Sequence, residues 1–428
     1  MTAISITLLL FFMMAMGVPV GFAMGVSGAV GLYAVGNWDM LLGVLETVPL
    51  STVSSYEMIT IPMFLLMAEL VLKSGIADDL FDAAAAWVGS LRGGLGMATA
   101  IAGAGFGAIC GTSTAAAATL SATSLPAMIK HGYEPKMAAG VVAISGTLAM
   151  LIPPSVVLII YGLLAEANIG RLLIAGIIPG LLIALTIMLT VYILATLKPS
   201  SAPVSPRKTL SEKIHVLKVV GPMLVLMMMV TGVIYTGVAT PTEASALGAF
   251  GALLIALLRR KATASVVLDA AKQAAQGTCM IAMILMGASI FGYFFTLTSV
   301  TQDLVQWVGG LHMQPWLIML GVFAVYIILG AFMDQIAILV LTVPVVLPVV
   351  IALGYDPIWF GVLVIVIAEV GLLTPPMGLN CFVVAFYARR PVTEVFAGIW
   401  PHVLAHLVAI GLLLAFPQIV LWLPSMMK

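Results

Sequence analysis

The sequence predicts an all-α polytopic membrane protein made of two inverted-topology repeats, each with a re-entrant hairpin and a broken helix. Three observations lead there: an apolar excess that no soluble core can hide, an internal repeat, and helix breakers at matching places in both copies. The 428 residues are 62% hydrophobic and only 8% charged, with mean hydropathy +1.21, whereas a soluble domain carries roughly 25% charged residues. A soluble globular protein is therefore excluded, and long apolar runs without ten-residue alternation select helices over a β-barrel. The 17 Lys+Arg and 17 Asp+Glu cancel, a sum that says nothing about partners.

The first repeat is expected over 1–197. Apolar segments at 3–16, 18–35 and 56–74 form its opening helices, within 1–92. The N-terminal stretch lacks a basic flank and runs on into more apolar sequence, so it reads as a span and not as a signal peptide. Asp78, Asp79 and Asp82 alternate with Ile76, Leu80 and Phe81, the pattern of an amphipathic connector. The run 93–130 is too long for one span and reads as a hairpin; with the broken segment 136–165 it makes up 93–165. A closing helix follows at 168–197. A hydrophilic linker, 198–213, carries Pro199, Pro203, Pro206, Arg207, Lys208 and Lys213. The second repeat, 214–428, has opening segments at 214–236, 242–258 and 273–298 within 214–312. A connector around Asp303, Val305 and Trp307 leads to a hairpin at 313–353 and a broken segment at 357–388, together 313–388, and a closing helix at 395–424.

The repeat is visible at an offset of 222 residues. Leu125-Pro126 matches Leu347-Pro348, Gly132-Tyr133-Glu134-Pro135 matches Gly354-Tyr355-Asp356-Pro357, Pro153-Pro154 matches Pro375-Pro376, and Ala175-Gly176-Ile177 matches Ala397-Gly398-Ile399. If each hairpin enters and leaves on one side, each half crosses five times, an odd number, and the repeats are inverted. Fifteen basic residues then fall on one face, with Arg171 and Lys428 on the other. The positive-inside rule puts the linker in the cytoplasm and both termini outside.

The breaks carry the chemistry. Gly107 to Thr114 places two glycines and three hydroxyls halfway along the first hairpin, and Gly330 to Gln335 with Asp334 occupies the equivalent point of the second. An aspartate there costs about 2.5 to 3.5 kcal/mol on insertion scales, so it should face protein, ion or water. The double prolines remove backbone donors and free carbonyls one turn earlier. With Ser155, Thr374 and Asn380 those carbonyls offer the oxygens that a hard cation prefers. A packing kink is the bland alternative for either Pro-Pro, but the pairing of breaks with polar tips in both halves favours an ion site.

Taken together, Gly111-Thr112-Ser113-Thr114, Ile152-Pro153-Pro154-Ser155, Ala239-Thr240-Pro241-Thr242-Glu243-Ala244, Gly330 to Asp334 and Thr374-Pro375-Pro376-Met377-Gly378 resemble the large membrane subunit of TRAP (tripartite ATP-independent periplasmic) transporters, over essentially the whole chain. The resemblance implies an elevator-type fold of the ion-transporter superfamily. It also implies a sodium-driven bacterial inner-membrane permease for an organic acid, such as a C4-dicarboxylate or sialic acid. Its partners would be a small membrane subunit and a periplasmic substrate-binding protein; no nucleic acid is expected. By the same resemblance, one sodium site would use Gly111, Thr112, Ser113, Ile152, Pro153 and Ser155, and a second Gly330, Met333, Asp334, Thr374, Pro375 and Gly378. Thr114, Pro154, Gln335, Pro376 and Asn380 would face the substrate. A proton-coupled or stand-alone anion transporter of the same fold is the alternative.

The remaining candidates are weaker. No Lys or Arg lies deep in a span, so a substrate carboxylate would meet helix N-termini, each with about half a positive charge, and bound sodium. Glu369 could support the second ion site or a proton step, or be a structural acid; Glu69 reads as structural or as a partner contact. Glu243 fits an N-cap role. His402 and His406 share a helix face as metal ligands do, but lack a third ligand. The Met223 to Met229 run reads as packing, and Cys110, Cys279 and Cys381 as small core residues. No HExxH, credible GxSxG or paired His/Asp supports an enzyme, and polar residues gathered at two tips do not make a continuous channel.

Overall fold

A computed structural model describes residues 2–427, apart from the side chains of Ala77, Asp78, Ala108, Ile109 and Cys110. Every regular element among them is a helix. In the first half, α1 (Thr2–Ala15), α2 (Val20–Val35), α3 (Trp38–Val53), α4 (Thr60–Lys73) and α5 (Ile76–Val88) precede the hairpin α6 (Gly94–Cys110) and α7 (Ser113–Lys130). The broken helix follows as α8 (Pro135–Thr147) and α9 (Val156–Leu164), then α10 (Ile169–Ala175) and α11 (Ile177–Leu197). The second half runs α12 (Leu210–Tyr235), α13 (Pro241–Leu258), α14 (Ala264–Leu297) and α15 (Val300–Gly310). Its hairpin is α16 (Pro315–Gly330) and α17 (Gln335–Ala352), its broken helix α18 (Pro357–Leu373) and α19 (Leu379–Ala388), and it closes with α20 (Val392–Ala415) and α21 (Gln418–Ser425).

Both hairpins and both broken helices form where the sequence predicts them, and the two repeats interlock. The return helix of each hairpin packs on the far half of the other repeat's broken helix, α7 on α19 and α17 on α9. Among the described residues, six helices are long and apolar enough to cross a membrane, with α10 and α11 counted as one (Ile169–Leu197), or seven if Trp38–Val53 and Tyr56–Lys73, bent by 52°, count as one span. Most of the other apolar helices are shorter because hairpin tips and breaks divide them; α1 and α2 are separated at Gly17 to Pro19 instead.

Some elements differ from expectation. Residues 38–53 form α3, capped by Asn37 accepting from the Met40 amide at 2.8 Å; Asp39, Glu46 and Pro49 had masked it. The closing segment 168–197 divides at Gly176, which packs against the Leu151 carbonyl in the first break. The segment 395–424 divides at Phe416, ahead of Pro417, which disfavours helical backbone before it. The connectors are α5 and α15. Glu243 caps α13 in a capping box with Thr240. Cys279 is exposed on α14 instead of lying in the core, Cys381 is buried, and the Cys110 and Asp78 side chains and Lys428 fall outside the described residues.

The linker is strapped down. The Glu134 amide donates to Ser201 O at 2.9 Å and the Ser205 amide to Gly89 O at 3.2 Å. Lys198 and Lys136 each reach the Glu134 carboxylate at 2.9 Å, and these contacts hold it below the usual carboxylate range. Arg259 fixes α5 to the second half, pairing with Asp79 at 2.6 Å and donating to Ser74 O and Val219 O.

Candidate functional site

Two tips and two breaks build the site. At the first tip, α6 ends on Gly111, whose φ of +62° suits only glycine without strain. A Cβ there would lie 2.8 Å from Val156 Cγ2 and 3.3 Å from the Val156 amide. Tip and break are thus in contact, with Gly111 seated at the start of α9. Thr112 is extended and makes no side-chain cap bond to α7; Thr112 and Thr114 are half-buried, so their hydroxyls are available to a ligand.

The first break runs from a 3-10 turn, Leu148–Met150, through a cis Pro153-Pro154 bond to α9. Ser155 Oγ donates to Met150 O at 2.5 Å and accepts from the Leu158 amide at 3.3 Å. The hydroxyl thus recaptures a carbonyl that the prolines leave unbonded, and its capacity for a cation drops to one lone pair. Ile152 packs on Gly180, and Pro153 and Pro154 are buried.

At the second tip, Asp334 caps α17, accepting from the Ala337 amide at 3.1 Å. It is exposed at the protein surface. The second break contains the matching cis Pro375-Pro376 bond, and Gly378 at φ +53° restarts the helix. Thr374 Oγ1 donates to Gly371 O at 3.1 Å and keeps both lone pairs for a ligand. The Met377 amide donates to Ala331 O at 3.2 Å, which joins Gly330–Asp334 to Thr374–Gly378. Gly330 and Gly371 are in backbone contact beneath this joint.

At the site a bond crosses between the repeats: Ser113 Oγ to Asn380 Oδ1 at 3.2 Å, with both residues fully buried. Asn380 Nδ2 has no partner within the chain, so the centre holds a free donor beside the N-terminus of α7. Gln335 is drawn elsewhere, donating through Nε2 to Ile365 O at 2.9 Å and leaving only Oε1 unpaired. The donor set suits sodium by type, with hydroxyls, one carboxylate and break carbonyls. It suits an anion through amide donors and helix N-termini.

The two breaks are unequally accessible. Ser155 is fully buried, while Pro375, Pro376 and Met377 are exposed. From the first tip, Ala115, Ala122 and Pro126 leave one face of α7 open, with Thr119 and Thr123 half-buried along it. The first turns of α17, from Gln335 to Val340, are buried.

Among the described residues, no group of three or more His, Cys, Asp or Glu could hold a metal ion, so His402 and His406 gain no third ligand. Glu369, which the sequence offered as a support of the second site or as a structural acid, is 1% exposed within α18 and its Oε1 has no partner.

A family model described as "Tripartite ATP-independent periplasmic transporter, DctM component" matches residues 7–419. The chain is 35% identical to the C4-dicarboxylate TRAP transporter large permease protein DctM of Pseudomonas aeruginosa, over 87% of each chain. It is 29% identical to the sialic acid TRAP transporter large permease protein SiaM of Vibrio cholerae, over 96% of this chain and 95% of that one. Its fold resembles the crystal structure of the Alcanivorax borkumensis YdaH transporter, with a TM-score of 0.66 at 15% identity over 88% of this chain and 89% of that one. With polar tips set against broken helices in both repeats and a family match across nearly its whole length, the chain belongs to the DctM component family, the large permeases of tripartite ATP-independent periplasmic transporters.

Proposed function

We propose that this chain is the sodium-coupled permease of a bacterial inner-membrane importer for an organic acid of the C4-dicarboxylate or sialic acid class. The acid arrives from a periplasmic binding protein, and a small membrane subunit completes the assembly. The observation that carries this reading is the cross-repeat centre: the free Asn380 amide and the N-terminus of α7 meet where both breaks converge, and each salt bridge found among the described residues lies outside it. An anion in such a place needs a mobile cation. Sodium on one side would involve Gly111 to Ser113 with the Ile152 to Ser155 break, and on the other Asp334 with Thr374 to Gly378. Sodium neutralises Asp334, which otherwise repels the substrate, and this couples the two bindings.

Movement follows an elevator, in which the hairpins and broken helices (93–165 and 313–388) travel against the opening helices. The linker lies in the cytoplasm with both termini outside. The small, partly polar open face of α7 supports release toward the cytoplasm, while burial of α17 supports closure on the other side. The test is reconstitution of the chain with both partners in liposomes, measuring uptake of candidate acids. Uptake should need an inward sodium gradient; equal uptake under a pH gradient alone would overturn sodium coupling.

A further inference from the structure

Away from both tips, a two-lobed cleft opens between the opening helices and the first broken helix. Its lobes, of about 520 Å³ and 460 Å³, share Leu163, Leu164, Glu166, Ser289 and Tyr293. One wall is α3 and α14; the other is the end of α9 with the loop to α10, joined by Pro344 of α17. The cleft therefore follows the boundary between the segments that travel and the helices that stay in the proposed mechanism. Glu57, in the first lobe, lies just before α4, whose first residue Thr60 shares a hydroxyl bond of 2.8 Å with Thr242 at the start of α13. In the proposed orientation that level is the outer face.

The lining presents acceptors. Ser51 Oγ donates to Val48 O at 3.0 Å, Ser289 Oγ to Leu285 O at 2.9 Å and Thr296 Oγ1 to Gly292 O at 3.0 Å. The proton of Thr52 goes to Val48 O at 2.8 Å or to Ser289 Oγ at 3.1 Å. A hydroxyl has one proton, so toward the cleft these four oxygens offer lone pairs alone. The other lining hydroxyls, of Ser55, Tyr293 and Thr301, can accept as well as donate, and no Lys, Arg, His, Asn or Gln side chain lines either lobe.

Two carboxylates complete the set. Glu57 and Glu166 are exposed, and the salt bridges among the described residues use neither. Arg171 is the only described base that the proposed orientation puts on this face, and it lines neither lobe. An organic anion finds no charged donor here, and an apolar ligand would strip water from the acceptors without replacing its hydrogen bonds. Oxygen acceptors with carboxylates, and no sulfur or imidazole, suit a hard cation.

We propose that this cleft is a cation site separate from both tips, in which Glu57, Glu166 and the four hydroxyl oxygens hold sodium with part of its water shell at the outer face. A cleft lined by charge of one sign concentrates the counter-ion, so it gathers sodium where the coupling ion has to enter and turns a free organic acid away. That the ion is the coupling ion rests on the transport reading; the preference of the cleft for cations does not.

The test uses the full chain in nanodiscs, in a background without the native cysteines, with Ser55→Cys reporting from the cleft. Val238→Cys, at a position 78% exposed in the loop before α13, is the reference. Reaction rates are measured with methanethiosulfonates of similar size that carry trimethylammonium or sulfonate. Relative to the reference, Ser55→Cys should favour the cationic reagent about tenfold. Sodium chloride should erase that preference at a lower concentration than N-methylglucamine chloride, and Glu57→Gln combined with Glu166→Gln should abolish it. A cleft ratio equal to the reference would overturn the proposal. Equal effects of the two salts would also do so, because they would mean screening of an acidic surface and no bound ion, and so would a preference that survives both glutamines. The salt comparison needs no glutamate variant and therefore stands even where one fails to fold. Because the measurement uses no substrate, gradient or partner, its failure is distinct from failure of the transport reading.

Discussion

At the scale of single residues, the hydroxyls at the two breaks serve the backbone before they serve any ligand. Ser155 and Thr374 each donate to a carbonyl of their own break, which lowers the cost of interrupting a helix in an apolar interior. Asp334 differs, because its carboxylate accepts from a backbone amide at the start of α17. Asparagine caps helices about as well as aspartate, so Asp334→Asn removes the charge while leaving the cap. If that charge helps to hold sodium, losing about 1.5 kcal/mol of charged interaction should raise the sodium concentration for half-maximal uptake roughly tenfold. Sodium-dependent uptake with an unaltered midpoint and cooperativity would remove Asp334 from the second site.

Helices and straps set the next scale, where close backbone contact does most of the positioning. Gly330 ends α16 against α18, and a Cβ there would lie 2.5 Å from Ala368 O and 2.8 Å from Gly371 Cα. Gly330→Ala should therefore cost about 1–3 kcal/mol as an overpacked contact and displace the second tip from its break; equal melting temperature and uptake would show that the joint yields. The linker strap depends on a carboxylate. Glu134 is held below its ordinary range by Lys198 first and Lys136 next, so its stabilisation is present above the unfolded carboxylate value and disappears as pH falls through the lowered folded value. Because both lysines are more than half exposed, Glu134→Gln should speed amide exchange across 199–206 at neutral pH by no more than about fivefold, from a worth of up to about 1 kcal/mol. The difference from wild type should vanish in acid; no difference at neutral pH would assign the strap to the backbone bonds alone. Of these features the sequence exposes the breaks and tips, because glycine and proline announce themselves. It hides the strap, which rests on backbone bonds from Glu134 to Ser201 and from Ser205 to Gly89 that any residues could make.

Over the whole molecule, the 222-residue offset was the most informative feature of the sequence, for it predicted the paired hairpins and the paired breaks together. The helix α3 escaped because its buried contacts are few, with only Leu41 and Val48 in the core, so apolar periodicity had little to mark. Orientation is the property that a net charge of zero conceals most completely, since the proposed split of fifteen basic residues on one face and two on the other would give the same sum as an even spread. The odd number of crossings per half makes this testable at two points: Lys208, exposed in the linker, and Gln302, exposed on α15. In a background without the native cysteines, Gln302→Cys should react with a membrane-impermeant thiol reagent on intact cells, whereas Lys208→Cys should react only after the membrane is opened. The reverse pattern would invert the molecule. Labelling of both sites from one side would mean that the number of crossings between them is even, and the inverted relation of the two halves would then have to be abandoned.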